Sequence, residues 1–250
     1  MLKKDDYKLS VIIAGAGSSE RLCNKSVKSK QFLLLKDKPL LLYSVEKFLL
    51  LENLLEIIVI TNDIDATREL IGKNKLDKNV EFKIVLGGKR RQDSVYNGFS
   101  NLNPLCDLVL IHDVGRPLFY IENVKQCIEK ARETNAAILA IPTVDTLKKA
   151  KSDNDELVVD KTINREHIYS VQTPQVFSYD MLASVYNLCK NDMEQITFTD
   201  EASMVELFKK PVNLVIGDRR NIKITYPEDL CLAHAILNNE LEIESERIPA

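Results

Sequence analysis

The alternation of apolar runs with helix-like segments constrains the fold of this chain more than any other feature. Five apolar runs, at 9–14, 55–61, 80–86, 108–112 and 137–141, are separated by segments with a helical pattern. The runs are continuously apolar rather than alternating, which is typical of strands buried on both faces of a parallel sheet. The sequence therefore predicts an α/β fold, with a mostly parallel sheet and helices on both faces.

The later part of the chain departs from this alternation. The segment 143–171 is charged, has alternating stretches and contains the turn-like sequence SDND, so we expect a projecting β-hairpin. We predict helices at 40–51, 65–73, 93–102, 121–134, 179–190, 200–208 and 227–239, and late strands at 212–216 and 222–225. Because the sequence has no internal repeat or low-complexity linker, residues 1–250 are predicted to form one domain that carries this β-arm.

Composition argues against several classes of protein. The chain has 250 residues and a net charge of −3, whereas a general nucleic-acid-binding protein is usually basic. The apolar region 33–60 is interrupted by charged residues and the first residues lack the apolar stretch of a signal peptide, so we expect no membrane partner. The five cysteines are scattered without a CxxC pair, which favours reduced thiols and a cytoplasmic protein.

The first candidate loop follows the first strand, because ligands of such sheets bind where the strands end. It reads AGAGSSERL at 14–22, and Lys30 comes shortly after it. Small residues allow backbone N–H groups to approach phosphate oxygens, while Arg21 and Lys30 add positive charge. The loop is neither a Walker loop nor a GxGxxG motif. On its glycines alone, a tight turn is the favoured interpretation.

Two later loops and one late strand carry further charged residues. The loop LGGKRRQDS, at 86–94, places three cations before a helix, which suits a bound anion or base as well as an ordinary surface turn. In IHDVGRP, Asp113 suits a hydroxyl or Mg²⁺ and Arg116 suits a phosphate, although the two residues could simply pair with each other. Lys223 is unusual in a strand unless its ammonium meets an anion. Thr199 is expected to cap the following helix.

An ordered set of motifs resembles that of the 2-C-methyl-D-erythritol 4-phosphate cytidylyltransferase family, from about residue 11 to residue 237. The motifs are AGAGSSERL, KQF, GGKRRQDSV, HDVGRP, VDTLK, QTPQ, TDEAS and NIKITYPEDL. The resemblance rests on their common order, since no single motif carries it.

This resemblance implies a Rossmann-like sheet and a β-arm, at about 143–171, that exchanges contacts in a homodimer. It implies that the phosphate of a polyol phosphate attacks the α-phosphorus of CTP, which releases pyrophosphate and forms a CDP-linked polyol. Mg²⁺ or another divalent cation would bridge the triphosphate. Asp113 is the one side chain considered as a metal ligand.

The resemblance also assigns residues by matching positions. The residues expected to stabilise charge on the α-phosphate are Arg21, Lys30 and Lys223. The residues expected to hold cytosine and ribose are Ala16, Gly17, Gly88 and Ser94. The residues expected to hold the polyol phosphate are Asp113, Arg116, Thr146, Arg165 and Thr173, of which Thr146 and Arg165 belong to the arm and would enter the partner's site.

Two positions depart from the family pattern. Ser19 stands where a second glycine is usual, and Ser29 stands where a proline usually precedes the catalytic lysine. Either change could alter the stiffness of the first loop. Neither removes a charged group, so we expect activity to survive.

Three alternatives remain open. Ribitol-5-phosphate cytidylyltransferases share the fold and the CTP chemistry, although the segments DTLKK and INR look more like the methylerythritol enzymes. A nucleotide-sugar glycosyltransferase would need a DxD metal motif, and 63–65 and 153–155 match it formally, in unexpected places. A non-catalytic nucleotide sensor would be expected to lose Arg21 or Lys30, and both are present.

Overall fold

The computed structural model describes residues 7–17, 29–74, 76, 79–153, 156–189 and 196–246. Ser19 and Arg21, discussed above, lie outside these ranges, and so does Cys23. The cysteines within them, Cys106, Cys127, Cys189 and Cys231, are free thiols. Within the same ranges, no helix has the length and apolar character needed to span a membrane.

The strands form one large sheet and two small hairpins. Their bounds are β1 Leu9–Ala14, β2 Leu34–Leu35, β3 Lys38–Pro39, β4 Leu54–Thr61, β5 Glu81–Leu86, β6 Leu108–Asp113, β7 Ala136–Pro142, β8 Leu147–Asp153, β9 Glu156–Ile163, β10 Tyr169–Ser178 and β11 Asn213–Ile216. The large sheet has the order β11-β7-β10-β6-β1-β4-β5. Within it, β10 is antiparallel to its neighbours and the other pairs are parallel. The predicted, mostly parallel sheet is confirmed.

Helices cover both faces of this sheet, as predicted. They are α1 Leu40–Phe48, α2 Ile64–Lys73, α3 Arg91–Phe99, α4 Ile121–Thr134, α5 Tyr179–Cys189, α6 Glu201–Leu207 and α7 Pro227–Glu246. Successive strand residues point to opposite faces. In β1, Val11 and Ile13 belong to the apolar cluster that includes α1 and α4, whereas Ile12 belongs to the cluster of α3 and α5. Both faces of β1 are therefore buried, which explains its continuously apolar sequence.

The position of β1 determines where a ligand would bind. β1 pairs with β4 on one side and with β6 on the other. The chain thus moves outward through β4 and β5 and then returns across β1 to β6. In open α/β sheets, the crevice beyond the carboxyl ends of the strands at such a reversal is the usual ligand site.

The predicted projecting hairpin is present but shorter than expected. β8 and β9 pair in antiparallel fashion from Leu147 opposite Ile163 to Asp153 opposite Glu156, and most of their side chains are exposed. At the base, the Thr143 N–H donates to the Ile168 carbonyl at 3.0 Å. From Tyr169 onward the chain belongs to the large sheet, because Tyr169 pairs with Pro142.

The sequence pattern predicts no strand at residues 172–178, and this prediction is wrong. They form most of β10, which lies between β6 and β7. A proline within an apolar run argues against a central strand, and Pro174 follows a cis peptide bond. In the structure, the pairing with β7 shifts register between Val171 and Gln175, so the proline lies in the irregular stretch and the strand continues beyond it.

Two smaller predictions are also corrected. Residues 222–225 do not form a strand, because the Ile224 N–H donates to the Gly115 carbonyl at 2.8 Å instead of to a neighbouring strand. Thr199 does not cap α6. The N-cap is Asp200, whose Oδ1 accepts from the Ser203 N–H at 2.9 Å.

Candidate active site

A cavity of about 520 Å³ opens at the carboxyl end of β1, as the fold predicts. Its described lining comes from the loops after β1, β4, β5 and β6, the turn Lys30–Phe32 and the segment 221–225. The predicted site residues that line it are Ala16, Gly17, Lys30, Gly88, Ser94, Asp113 and Lys223. Arg21 lies outside the described residues. Residues from distant parts of the chain are thus brought together at one opening.

The first loop packs closely against its neighbours at one wall of this cavity. A methyl group on Gly87 would collide with Ala16 Cβ, and one on Gly15 would collide with Gln31 Oε1. A side chain at either position would push the neighbouring residues apart, so both positions favour glycine. Asn62 Nδ2 donates to the Ala16 carbonyl at 2.5 Å. These contacts fix the backbone of the first loop beside the loop that follows β5.

The start of α3 forms a second wall. The Gly88 N–H donates to Ser94 Oγ at 2.9 Å, and Ser94 Oγ donates to the Arg90 carbonyl at 3.0 Å. Arg90 Nη2 pairs with Asp93 Oδ1 at 2.7 Å, and the hydrogen bonds from Arg90 lower the pKa of Asp93. The helix therefore begins in a well-defined turn beside the cavity. Helix N-termini favour anionic ligands.

Lys30 projects from a short turn into the same cavity. Its Nζ donates to the Ile224 carbonyl at 2.7 Å. A methyl group on Gly115 would be 3.3 Å from Lys30 Cδ, so the lysine stem lies directly against the loop after β6. The preceding Ser29 is buried and donates its hydroxyl to the Gly15 carbonyl at 3.1 Å. This departure from the family pattern ties the lysine turn to the first loop, through a bond that proline could not make.

Asp113, at the end of β6, has a cation on each carboxylate oxygen. Lys223 Nζ lies 2.6 Å from Oδ2, and Arg91 Nε lies 3.1 Å from Oδ1. Burial raises the pKa of Asp113, but the charges of Arg91 and Lys223 outweigh this effect and hold its pKa well below the ordinary value. Asp113 is therefore ionised, and it holds the Lys223 ammonium at the cavity.

A second cavity, of about 200 Å³, shares a wall with the first. Arg91, Asp113 and Lys223 line both cavities. The second also contains Arg116 and Thr173, two of the residues that the family resemblance assigns to the polyol phosphate. Its remaining described lining is Val171, Gln172, Gln175, Thr199 and Asp200. Two ligands in these cavities would meet at the shared residues.

The backbone holds Arg116 in place. Its Nη1 donates to the Asn221 carbonyl at 2.8 Å and its Nη2 to the Val171 carbonyl at 3.2 Å. Burial lowers the pKa of Arg116, while Asp113 opposes this effect. Within the described residues, Arg116 forms no ion pair with a carboxylate, so its direct pairing with Asp113, one of the alternatives, is not observed. The guanidinium can attract an anion in the second cavity.

Thr173 is bonded on both sides to other residues of the site. Its Oγ1 accepts from the Asp113 N–H at 3.1 Å and lies 3.1 Å from His112 Nδ1. Burial lowers the pKa of His112 to about 3, so the ring is neutral. Since His112 Nε2 lies 3.1 Å from the Arg116 carbonyl and donates to it, Nδ1 accepts the Thr173 proton. The sequence analysis did not single out His112.

The two predicted arm residues lie apart from both cavities. Thr146 and Arg165 are exposed, and an Nη1 hydrogen bond connects Arg165 to the Val144 carbonyl. Neither residue lines either of the two cavities described above. The structure therefore brings Asp113, Arg116 and Thr173 together, but it does not bring Thr146 and Arg165 to them.

Sequence reasoning missed one buried ion pair at the site. Arg91 Nη1 lies 2.9 Å from Glu201 Oε1 and 3.0 Å from Oε2. Burial raises the pKa of Glu201, and Arg91 opposes the rise. Both residues belong to motifs noted above, GGKRRQDSV and TDEAS. The sequence alone could not show which of three adjacent cations, Lys89, Arg90 or Arg91, would meet this acid.

The described side chains do not form a preformed metal site. Among them, no cluster of His, Cys, Asp or Glu could hold a metal ion. Asp113 is the one carboxylate in the described lining of the first cavity, and both of its oxygens already have partners. This donor set fits a divalent cation that takes most of its oxygen ligands from a bound triphosphate and water.

The DxD motif at 63–65 has a structural role instead. Asp63 Oδ1 accepts from the Ala66 N–H at 3.0 Å as the N-cap of α2. Asp65 pairs with Arg68 at 2.9 Å on the exposed side of the same helix. The other match, at 153–155, lies partly outside the described residues. Neither motif contributes a described residue to the two cavities.

Comparisons of this chain with known proteins point to one family. A family model for 2-C-methyl-D-erythritol 4-phosphate cytidylyltransferase matches residues 9–239. A protein of that name from Clostridium botulinum is 39% identical over 232 residues, which are 92% of this chain and 97% of that protein. One from Solibacter usitatus is 36% identical, over 93% of this chain and 97% of that protein.

Solved structures of similar fold carry names of the same enzyme family. A crystal structure of 4-diphosphocytidyl-2C-methyl-D-erythritol synthase from Anaerococcus prevotii has a TM-score of 0.77 and 30% identity, covering 93% of this chain and 96% of that one. A 2-C-methyl-D-erythritol 4-phosphate cytidylyltransferase from Thermus thermophilus has a TM-score of 0.71 and 28% identity, covering 92% and 98%. This chain belongs to the 2-C-methyl-D-erythritol 4-phosphate cytidylyltransferase family.

Proposed function

We propose that this protein transfers the cytidylyl group of CTP to 2-C-methyl-D-erythritol 4-phosphate, with release of pyrophosphate. The observation that carries the proposal is the pair of adjoining cavities whose common wall consists of Arg91, Asp113 and Lys223. The larger one suits a nucleoside triphosphate and the smaller one a phosphorylated polyol. Family membership supports the identity of both substrates.

The reaction needs positive charge where the two substrates meet. An oxygen of the polyol phosphate bonds to the α-phosphorus of CTP as the bond from that phosphorus to pyrophosphate breaks, and the electron pair leaves with pyrophosphate. Both reactants are anions, and charge builds on the non-bridging oxygens. We assign its stabilisation to Lys30 and Lys223, which line the first cavity, and to Arg21 by its match to the family.

We assign the nucleoside to the wall formed by the first loop and the start of α3. Ala16 and Gly17 offer backbone groups there, and Gly88 and Ser94 are already linked by the hydrogen bond described above. Backbone donors and acceptors with one serine hydroxyl suit the polar edge of cytosine. Because these groups are held in fixed positions, the site would discriminate between a pyrimidine and a larger purine base.

We assign the polyol phosphate to the second cavity. Arg116 supplies a positive charge held by two backbone carbonyls, and Asp113 supplies an acceptor for a hydroxyl. Thr173 contributes mainly by fixing Asp113, because its own proton is engaged by His112. The site therefore has an anion-binding end and a hydroxyl-binding end, which suits a phosphorylated polyol.

We further propose that two chains form a homodimer through the arm, with Thr146 and Arg165 completing the partner's polyol-phosphate site. Exposed apolar side chains on the arm, Leu157 at 84% and Val159 at 61%, are available for burial against a second copy. The two polar residues flank the hairpin, Thr146 just before β8 and Arg165 just after β9, and this supports the arrangement.

A divalent cation such as Mg²⁺ is part of the proposal. Bound with the triphosphate, it would neutralise phosphate charge, and Asp113 is the described side chain able to add a ligand. The protein itself supplies the rest of the charge neutralisation and the positioning. Lys30 and Lys223 add fixed positive charge, and the loops position the nucleotide. We also propose that the enzyme acts in the cytoplasm, to which its free thiols are suited.

Paired turnover assays test the proposal. Pyrophosphate release would be measured with CTP and either 2-C-methyl-D-erythritol 4-phosphate or ribitol 5-phosphate, with each nucleoside triphosphate compared in turn. We expect the highest kcat/KM for CTP with the methylerythritol substrate. Faster use of ribitol 5-phosphate would replace the proposed acceptor, and no release with either acceptor would refute cytidylyl transfer.

A further inference from the structure

A chain of four alternating charges runs through the wall between the two cavities. Lys223 Nζ contacts Asp113 Oδ2 at 2.6 Å, and Arg91 Nε contacts Asp113 Oδ1 at 3.1 Å. Arg91 Nη1 then contacts both oxygens of Glu201, at 2.9 and 3.0 Å. We call Lys223, Asp113, Arg91 and Glu201 the charge chain. Its formal charges sum to zero, and three of its members line both cavities.

Glu201 differs from the other members because it faces neither cavity. Its side chain is 2% exposed, and Arg91 is its described ion-pair partner. The start of α6 does not depend on it, since the neighbouring Asp200 provides the N-cap. A buried carboxylate is costly unless it is paired. Glu201 therefore acts on any ligand in the cavities through Arg91.

The geometry at Arg91 fixes the orientation of Asp113. The guanidinium is planar, so anchoring Nη1 on Glu201 sets the direction of Nε, which points to Asp113. If the charge of Glu201 were removed, Asp113 would be the one carboxylate among the described residues still paired with Arg91. Arg91 would then bind Asp113 more strongly and compete with Lys223 for the same carboxylate. The Lys223 ammonium would lose its fixed place.

We propose that Glu201 and Arg91 are positioning residues, which orient the Asp113 carboxylate and thereby hold the Lys223 ammonium between nucleotide and acceptor. This inference rests on the proposed cytidylyl transfer. It adds a buried residue beneath the site to those that the reaction depends on.

The first test is Glu201→Gln, which keeps the shape of the side chain and removes its charge. We expect kcat to fall by about tenfold to a hundredfold, because a small misplacement of a charged group is costly. The KM for CTP should stay close to that of the unchanged protein, since Glu201 faces neither cavity. The matched control is Glu206→Gln, an exposed glutamate on the same helix, which should leave kcat unchanged.

A second variant separates positioning from folding. Arg91→Met combined with Glu201→Leu replaces the whole Arg91–Glu201 pair by apolar side chains, a change that is often neutral or stabilising, and it leaves Asp113 paired with Lys223. We expect the Tm to be unchanged or higher while kcat per folded molecule still falls. Folding would be checked by circular dichroism, and kcat measured well below the Tm.

The outcomes distinguish the two proposals. Unchanged kcat per folded molecule in Glu201→Gln, or in the double variant, would overturn the positioning role while leaving cytidylyl transfer intact. If the unchanged protein itself released no pyrophosphate from CTP, the proposed function would fail before any variant was compared. A reduced kcat in Glu201→Gln with retained folding, together with an unchanged kcat in Glu206→Gln, would support the inference.

Discussion

Replacing Lys30 with alanine should remove most of the turnover without unfolding the protein. Lys30 Nζ donates to the Ile224 carbonyl at 2.7 Å and lies in the cavity that we assign to the triphosphate. The loss of the charge-assisted hydrogen bond to this carbonyl costs about 1.5–3 kcal/mol. Domains of ordinary stability have about 5–15 kcal/mol, so the variant should fold.

The effect on the reaction should be larger than the effect on binding. Lys30 is expected to stabilise charge that develops on the α-phosphate, and loss of one such donor costs about 2.7–4 kcal/mol in the transition state. This corresponds to a decrease in kcat of about a hundredfold to a thousandfold. CTP should still bind, because the loops that hold the nucleoside do not depend on this ammonium.

Pyrophosphate release at saturating CTP and polyol phosphate would measure kcat, and calorimetry would measure CTP binding. Lys38→Ala is the matched control, since Lys38 pairs with Glu46 at 2.6 Å on the surface, and exposed pairs contribute about 0–1 kcal/mol. A kcat for Lys30→Ala close to that of Lys38→Ala would show that Lys30 does not take part in the chemistry. Loss of CTP binding together with turnover would refute the separation of roles.

Three further predictions concern the second cavity. Arg165→Ala should raise the KM for the polyol phosphate far more than that for CTP, and an unchanged polyol KM in steady-state assays would remove Arg165 from the site. Thr173→Val should lower the free energy of unfolding by about 1–3 kcal/mol, because two buried partners lose their hydrogen bonds, whereas Thr173→Ser should not; urea unfolding measures both. Because the pKa of Asp113 is depressed in the folded state, its ion pairs stabilise the fold above the ordinary carboxyl pKa, and this contribution is lost as the pH falls through the folded value. Asp113→Asn should weaken that acid dependence in urea titrations at successive pH values, and an identical pH profile would contradict it.

The regular strands and helices could be predicted because the burial of each one leaves a recognisable pattern in its own sequence. β1 is continuously apolar because it is buried on both faces, and its predicted bounds agree with the structure. β10 could not be predicted in this way, because Pro174 reads as a break in a strand. Its place depends on a register shift against β7 that no local pattern encodes.

The site could be predicted only as a set of loops. The sequence indicated that Lys30, Asp113 and Lys223 carry chemistry, and the structure brings them to one cavity. It could not indicate that Arg91, rather than Arg116, pairs with Asp113, because both arginines lie in neighbouring loops at suitable spacing. Which pair forms depends on the tertiary positions of α3 and β6. Glu201 could not be identified as a site residue either, because acidic residues are common in the first turn of a helix.

A crystal structure with CTP and Mg²⁺ tests the central claim most directly. We predict that the cytosine lies against Gly88 and Ser94, with the α-phosphate within hydrogen-bonding distance of Lys30 Nζ and Lys223 Nζ. The second cavity, beside Arg116, should remain open for the acceptor. A triphosphate bound away from the end of β1, or an α-phosphate that contacts neither lysine, would contradict the account.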